Sequence, residues 1–153
     1  MIEGVKLLPL RRYDDERGWF MEFRRESWLP TRSLQTNISF SRRGVIRGLH
    51  YHERQDDVFA AVSGAARVVV LDRDSGDTLS VDIGDENPVA VYIPGRHPHG
   101  FEALTDLLFV EHVTQEYNAA DPDEHGIPWD DPRVKRLWNT QSPILSQRDA
   151  YAS

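Results

Sequence analysis

The sequence predicts an all-β protein, an antiparallel barrel or jelly roll with little helix. Its middle consists of short runs of β-branched and apolar residues, and each run is followed by turn-forming residues such as Asp, Gly and Pro. Short strands that recur at this spacing are typical of sandwiches and barrels. No internal repeat, low-complexity tract or linker divides the chain, so we expect a single domain over residues 1–153.

Each of these runs is predicted to form one strand. The predicted ranges are 58–62, 67–71, 78–83, 89–93 and 107–113. The segment 72–77, Asp-Arg-Asp-Ser-Gly-Asp, carries the turn chemistry of a hairpin loop between the second and third of them. Helix is expected to be limited to a turn or two near 132–138, because Pro132 can occupy the first turn of a helix.

The composition excludes several functional classes. The 25 acidic residues outnumber the 18 basic ones, which argues against sequence-independent binding of nucleic acid. No apolar run approaches the roughly 20 residues of a membrane-spanning helix. The first residues also lack the pattern of a signal peptide, so we expect a cytoplasmic protein with no membrane partner. Because the chain has no cysteine, its chemistry must come from His, carboxylate, Arg or Tyr side chains.

Four of the six histidines lie in two short motifs. The first motif, Arg-Gly-Leu-His-Tyr-His at 47–52, places His50 and His52 two residues apart, and such residues share one face of a strand. The second motif places His97 and His99 just after a Pro-Gly turn. Imidazole titrates near neutral pH and also binds metals, so the two motifs together predict a functional site.

Further short blocks occur along nearly the whole chain. The blocks are 15–22 (DERGWFME), 35–39 (QTNIS), 44–51 (GVIRGLHY), 92–94 (YIP) with 99–101 (HGF), Thr114 with Tyr117, 124–127 (EHGI), 129–132 (WDDP) and 145–149 (LSQRD). In this order they resemble the dTDP-4-dehydrorhamnose 3,5-epimerase family. The resemblance implies a cupin-like jelly roll, usually a homodimer, that needs no cofactor and acts on a nucleotide-diphosphate sugar, normally dTDP-linked.

The resemblance also implies a reaction. The C4 ketone of a 4-keto-6-deoxy sugar acidifies the protons on C3 and C5, so a base can remove one, and reprotonation of the enolate from the other face inverts the carbon. By this resemblance His50 is the base and Asp149 its partner, which would fix the imidazole tautomer and stabilise the imidazolium. Arg47 would place a permanent positive charge beside the enolate oxygen or a phosphate.

The remaining matched residues are implied to bind the nucleotide sugar. They are Arg17, Phe20, Glu22, Gln35, Asn37, His99, Tyr117 and Glu124. Without the resemblance most of these residues are less informative, because turn, edge-strand and packing residues of the same types are common.

Two positions depart from the family pattern. The family usually carries a lysine two residues after the glutamine at position 55, where this chain has Asp57, and a tyrosine three residues before Thr114, where this chain has Glu111. The alternation of residues 107–113 places Glu111 on the apolar, barrel-lining face. A carboxyl in such surroundings has a raised pKa and can donate a proton, so Glu111 is the expected acid.

The same departures leave other functions open. The spacing of His50, His52, Asp57 and His99 also follows the metal-binding cupin pattern, whose ligands suit Fe, Mn, Ni or Zn in an isomerase or oxygenase. A 3,4-ketoisomerase acting on the same sugars would use His52 as a second catalytic histidine. An enzyme that inverts only C3 or C5 would use the same chemistry at one centre. A barrel without the lysine and tyrosine could also bind a nucleotide sugar without catalysis.

Overall fold

The structure is a computed structural model that describes residues 1–151. The strands in that range are β1 Lys6–Pro9, β2 Arg12–Asp15, β3 Gly18–Met21, β4 Gln35–Ser41, β5 Ile46–Tyr51, β6 Asp57–Ser63, β7 Ala65–Leu71, β8 Thr78–Gly84, β9 Val89–Ile93, β10 His99–Ala103, β11 Leu107–Val113 and β12 His125–Gly126. Helix α1 is Gln147–Ala150, and 3-10 turns occupy Glu26–Trp28 and Lys135–Leu137. Positions 152 and 153 of the predicted domain lie outside the described residues.

Two five-stranded sheets make up the body of the fold. The first sheet has the strand order β1-β9-β6-β11-β4, and the second has the order β12-β5-β10-β7-β8. Strands β2 and β3 form a separate hairpin. The strands pair in antiparallel fashion throughout both sheets. The prediction of an antiparallel, cupin-like β-fold with little helix is therefore confirmed.

The predicted strands correspond to β6, β7, β8, β9 and β11, with ends that differ by at most two residues. The helix expected near 132–138 is reduced to the 3-10 turn Lys135–Leu137, and α1 was not predicted. A four-residue helix is too short to show the 3.6-residue periodicity by which helices are recognised. It is held by the side chain of Ser146, which accepts a hydrogen bond from the Asp149 amide. Within residues 1–151 no helix has the length and apolar character needed to cross a membrane.

The main core lies between the two sheets. Phe59 and Phe109 come from the first sheet, and Phe101 comes from the second. The rings of Phe101 and Phe109 stack with centroids 3.9 Å apart, and Phe59 meets both edge-on. This contact across the sheets anchors one wall of the barrel to the other, because buried aromatic pairs contribute both apolar area and a preferred geometry.

Two smaller cores cover the outer faces. The segment 8–29 packs Leu10, Met21 and Phe23 over the outer face of the first sheet. The segment 127–145 packs Val134 and Trp138 over the outer face of the second sheet. This second cover carries the chain across the sheet that contains β5, so α1 reaches the end of β5.

Candidate active site

A cavity of about 620 Å³ opens between the two sheets. Its volume falls in the range of roughly 300–1,000 Å³ that is typical of small-molecule sites. The predicted site residues that line it are Gln35, Asn37, Arg47, His50, His99, Glu111, Tyr117 and Glu124. Both walls contribute, since β5 and β10 belong to the second sheet and β4 and β11 to the first.

His50 and Asp149 form a close pair at this cavity. Nε2 of His50 lies 2.6 Å from Oδ1 of Asp149, and the Gly48 amide donates to the other carboxylate oxygen at 3.2 Å. Burial acts to raise the pKa of the Asp149 carboxyl, but the hydrogen bonds from His50 and Gly48 and the nearby positive charges outweigh it, so the pKa is lowered. Asp149 is therefore a carboxylate that accepts a hydrogen bond from Nε2 of His50, and Nδ1 of His50 makes no hydrogen bond to the described residues.

Arg47 and His50 reach the same cavity although they are three residues apart on one strand. Strict alternation would place them on opposite faces. The register explains the difference: Phe101 and His99, two apart on β10, pair with Arg47 and His50, three apart on β5, so β5 carries one extra residue. Gly48 makes this bulge possible, because its φ is +140° and a Cβ there would lie 2.8 Å from the Cα of Gly100.

Arg47 is held against the first sheet. Its Nε donates to Oγ of Ser41 at 2.9 Å, and its Nη2 donates to the carbonyl of Phe40 at 3.2 Å. These two bonds fix the guanidinium on the cavity wall and leave its other N–H groups available to bind an anionic group.

Polar side chains of β4 and β11 form a chain of hydrogen bonds on the cavity wall that belongs to the first sheet. Asn37 donates to Oε1 of Glu111 at 2.9 Å, and Gln35 donates to Oδ1 of Asn37 at 2.9 Å. The carbonyl oxygen of the Gln35 side chain in turn accepts from the Tyr117 amide at 2.8 Å. Burial, with the nearby charge of Asp57, raises the pKa of Glu111.

His52, Asp57 and His99 form a second, more deeply buried group that lines the same cavity. Oδ2 of Asp57 lies 2.8 Å from Nε2 of His99 and 3.5 Å from Nε2 of His52. Burial acts to lower the pKa of His52, but the carboxylate of Asp57 outweighs it and raises this pKa to about 9. Burial acts to raise the pKa of Asp57, but the hydrogen bonds from the two imidazoles outweigh it and lower this pKa. Among the described residues, these three have the ligand atoms that a metal ion would need.

Arg17, Phe20 and Glu22 do not line the cavity of their own chain. They lie on or next to the β2–β3 hairpin, which packs on the outer face of the first sheet through Met21. Arg17 pairs with Asp15, Glu22 accepts from Arg25, and Phe20 is 64% exposed. The resemblance implied that these three residues bind the nucleotide sugar, but it did not indicate that their hairpin lies outside the cavity that contains His50.

Several cavity residues were not singled out from the sequence, among them Arg54, Asp123 and Arg148. Nη1 of Arg148 pairs with Glu124 at 2.7 Å, and its Nη2 lies 3.4 Å from Nε2 of His50. Arg54 lines the cavity in the loop between β5 and β6, where Asp123 accepts from the Glu53 and Arg54 amides. Arg148 sits directly before Asp149, and that adjacency was the signal that could have identified it.

Comparison with known proteins gives a consistent result along the chain. The family model described as dTDP-4-dehydrorhamnose 3,5-epimerase matches residues 1–153. The spore coat polysaccharide biosynthesis protein SpsL of Bacillus subtilis is 38% identical over 92% of this chain and 99% of its own length. The dTDP-4-dehydrorhamnose 3,5-epimerase of Methanothermobacter thermautotrophicus is 34% identical over 97% of this chain and 88% of its own length.

Solved structures of sugar epimerases are also similar to this chain. NovW, a 4-keto-6-deoxy sugar epimerase from Streptomyces spheroides, superimposes with a TM-score of 0.88 at 32% identity, covering 99% of this chain and 82% of that one. ChmJ, a 3'-monoepimerase from Streptomyces bikiniensis solved with dTDP-quinovose, superimposes with a TM-score of 0.87 at 30% identity, covering 99% of this chain and 83% of that one.

Proposed function

Because the chain belongs to the dTDP-4-dehydrorhamnose 3,5-epimerase family, we propose that it epimerises a dTDP-linked 4-keto-6-deoxy sugar at C3, at C5 or at both. The observation that carries this proposal is the His50–Asp149 pair, 2.6 Å apart at a cavity between two sheets. The chain has no cysteine, so a thiol cannot take the place of this pair as the proton acceptor.

His50 acts as the base in this proposal. Asp149 stays ionised and accepts a hydrogen bond from the Nε2–H group of the imidazole, which leaves the Nδ1 lone pair for the proton on C3 or C5. When that proton moves to Nδ1, the electron pair of the C–H bond becomes a C=C bond to C4. The π pair of the C4 carbonyl moves onto its oxygen, and an enolate forms. The Asp149 carboxylate stabilises the resulting imidazolium in a partly buried site, where such charge pairs are strong.

Arg47 stabilises the enolate oxygen. Its guanidinium reaches the same cavity as His50 through the extra residue of β5, and the bonds to Ser41 and Phe40 hold it in place before the reaction. A positive group that is already in position stabilises a developing negative charge strongly, because it does not have to move during the reaction.

Glu111 returns the proton on the opposite face of the sugar. It lies on the first sheet, whereas His50 lies on the second, so the two groups approach a bound sugar from opposite walls. Burial raises the pKa of Glu111, which favours the protonated form that a donor needs. A proton removed by His50 and replaced from Glu111 inverts the carbon.

The nucleotide part of the substrate is assigned to polar residues of the same cavity. Gln35, Asn37, Tyr117 and Glu124 line it, as does the buried His99. We also assign a homodimer, in which Arg17, Phe20 and Glu22 contact the nucleotide of the partner subunit. The exposed Phe20 and the edge position of β4, with Ile38 72% exposed, support such an arrangement. The family's nucleotide-sugar substrates support a cytoplasmic enzyme.

Proton NMR in deuterated water tests the proposal. The protein is incubated with dTDP-4-keto-6-deoxyglucose, and the C3 and C5 signals are followed separately. We expect deuterium to enter at C3, C5 or both, and His50→Asn to abolish it. His112→Asn is the matched control, because His112 stacks on Phe23 outside the cavity. Absence of exchange at both carbons with the unmodified protein would overturn the proposal.

A further inference from the structure

A group of three side chains in the cavity has no part in the proton transfer described above. His52, Asp57 and His99 are 6%, 3% and 2% exposed, respectively. One ligand atom of each lies within 4.8 Å of the others. The group shares no hydrogen bond with His50 or Asp149 among the described residues, so it forms a separate centre.

The two imidazoles are held in one defined orientation. Nδ1 of His52 lies 2.6 Å from the carbonyl of Asp123, and Nδ1 of His99 lies 2.7 Å from the carbonyl of His97. A carbonyl oxygen only accepts hydrogen bonds, so each Nδ1 carries the ring proton. In a neutral imidazole the other nitrogen, Nε2, then carries a lone pair. Metal-binding histidines are typically oriented by a carbonyl in this way.

Both Nε2 atoms point at the same carboxylate oxygen. Oδ2 of Asp57 is 2.8 Å from the Nε2 of His99 and 3.5 Å from that of His52. Two imidazole nitrogens and one carboxylate oxygen thus converge on one point, where a bound cation would replace the protons that the Nε2 atoms otherwise donate to Asp57. Gln55 donates to the other oxygen, Oδ1, at 2.7 Å, so Asp57 is fixed with Oδ2 turned towards the imidazoles.

We propose that His52, Asp57 and His99 bind one divalent first-row transition metal ion. Two imidazole nitrogens and one carboxylate oxygen suit such ions, whose bonds to these atoms measure about 2.0–2.2 Å. Ligand atoms of one such ion lie roughly 3.0–3.5 Å apart, close to the distances of 2.8 and 3.5 Å measured from Oδ2 of Asp57. The remaining coordination positions face the cavity, because all three residues line it.

The metal site itself goes beyond the epimerase proposal, whereas the sugar ligand expected at the ion rests on that proposal. An ion at this position faces the same cavity as His50, so a ketone or hydroxyl oxygen of the bound sugar is the ligand we expect at an open position. Arg47, Arg54 and Arg148 also line the cavity, so the ion would add to the positive charge that these arginines already supply.

Metal uptake by the full chain tests the inference. The protein is stripped with a chelator and titrated calorimetrically with Zn²⁺, Mn²⁺ and Co²⁺ in turn, and bound metal is counted by mass spectrometry after gel filtration. We expect one ion per chain for at least one of these metals. Asp57→Asn and His99→Asn should each weaken binding by at least about 100-fold, because each removes a ligand. His50→Asn and His112→Asn are matched controls that should keep the ion.

Two results would overturn the inference. One is that none of the three metals binds stoichiometrically to the unmodified protein, and the other is that both ligand variants bind as well as the controls. If a ligand variant does not fold, the imidazole nitrogens of the unmodified protein are followed by NMR. Zn²⁺ should then shift the signals of His52 and His99 and leave that of His112 in place, and unchanged signals would count against the site. A His50→Asn variant that keeps the metal but loses exchange separates this test from that of the epimerase.

Discussion

The carboxylate of Asp149 lies 2.6 Å from Nε2 of His50, although 99 positions separate the two residues in the chain. The contact depends on the segment that crosses the outer face of the second sheet and on the cap of α1 by Ser146. The proposed base is thus completed only when the end of the described chain is docked against β5.

Replacing Asp149 with Asn tests the pair. The variant keeps the shape of the side chain and removes the charge that stabilises the imidazolium. We expect the rate of deuterium exchange to fall by about 10²- to 10⁴-fold, with little change in the affinity for dTDP. An Asp131→Asn variant in the preceding segment serves as the control. An exchange rate equal to that of the unmodified protein would remove Asp149 from the proposed mechanism.

The stability of the protein should depend on the ionisation of Asp149. Its pKa in the folded state is lowered from the ordinary value of 3.8, so the charged form stabilises the fold. This contribution is complete above the unfolded-state pKa and is lost as the pH falls through the folded-state pKa. We therefore expect the difference in unfolding free energy between the unmodified protein and Asp149→Asn to be constant near neutral pH and to shrink below about pH 4. Urea denaturation at a series of pH values measures it, and a pH-independent difference would contradict the prediction.

Replacing Glu111 with Gln separates proton removal from inversion. His50 can still remove a proton and return a deuteron to the same face, so exchange should continue. The inverted product, however, should form about 10²-fold more slowly, because the donor on the opposite wall is missing. NMR distinguishes the two events, since exchange removes a proton signal and inversion changes the coupling constants. Inversion at the unmodified rate would show that another group is the donor.

A methyl group at Gly48 should disrupt the bulge that aligns Arg47 and His50. The residue has a φ of +140°, and its Cβ would lie 2.8 Å from the Cα of Gly100. We expect Gly48→Ala to lower the unfolding free energy by about 1–3 kcal/mol and to reduce exchange. Gly18→Ala is the matched control, because Gly18 has a φ of +128° with no atom within 4 Å of a Cβ. Equal destabilisation by the two changes would mean that the close approach of β5 and β10 is not the cause.

A charge on the exposed edge of the first sheet should prevent the proposed dimer. Ile38 is 72% exposed on β4, which has no strand partner on its outer side in the described structure. Analytical ultracentrifugation should show a dimer for the unmodified protein and a monomer for Ile38→Asp. Ile144→Asp, at another exposed apolar position, should remain dimeric. A monomeric unmodified protein would exclude the dimer, and a dimeric Ile38→Asp would place its interface elsewhere.

The strands could be predicted because local signals determine them. Residues two apart in the segment 107–113 share one face of the strand, and this period alone places Glu111 on the same side as the buried Phe109 and Val113, which faces the cavity. The bulge in β5 could not be predicted, since it depends on the register with β10 and on a close approach between two glycines. The orientation of the β2–β3 hairpin likewise follows from tertiary packing, so only the structure places Phe20 outside the cavity.

Some site residues could be identified from the sequence, and others could be identified only from the structure. The histidine motif at 47–52 singled out His50, but its pairing with Asp149 came only from the resemblance, because no local pattern joins positions so far apart in sequence. Arg54 was not found, since a single arginine in a polar loop carries no signal of its surroundings. Arg148 was not singled out either, although its position next to Asp149 was a usable signal. The carbonyl partners of His52 and His99 are backbone groups, and no residue type predicts them.

The Phe101–Phe109 stack also affects the spacing of the two sheets. It joins the sheet that carries the proposed base to the sheet that carries the proposed acid, and Phe109 does not itself line the cavity. The thickness of this aromatic layer sets how far apart donor and acceptor stand, and interiors are packed too closely to absorb a change in volume without a shift. A change of volume at Phe109, which does not line the cavity, is therefore expected to shift the two cavity walls that carry His50 and Glu111 relative to each other.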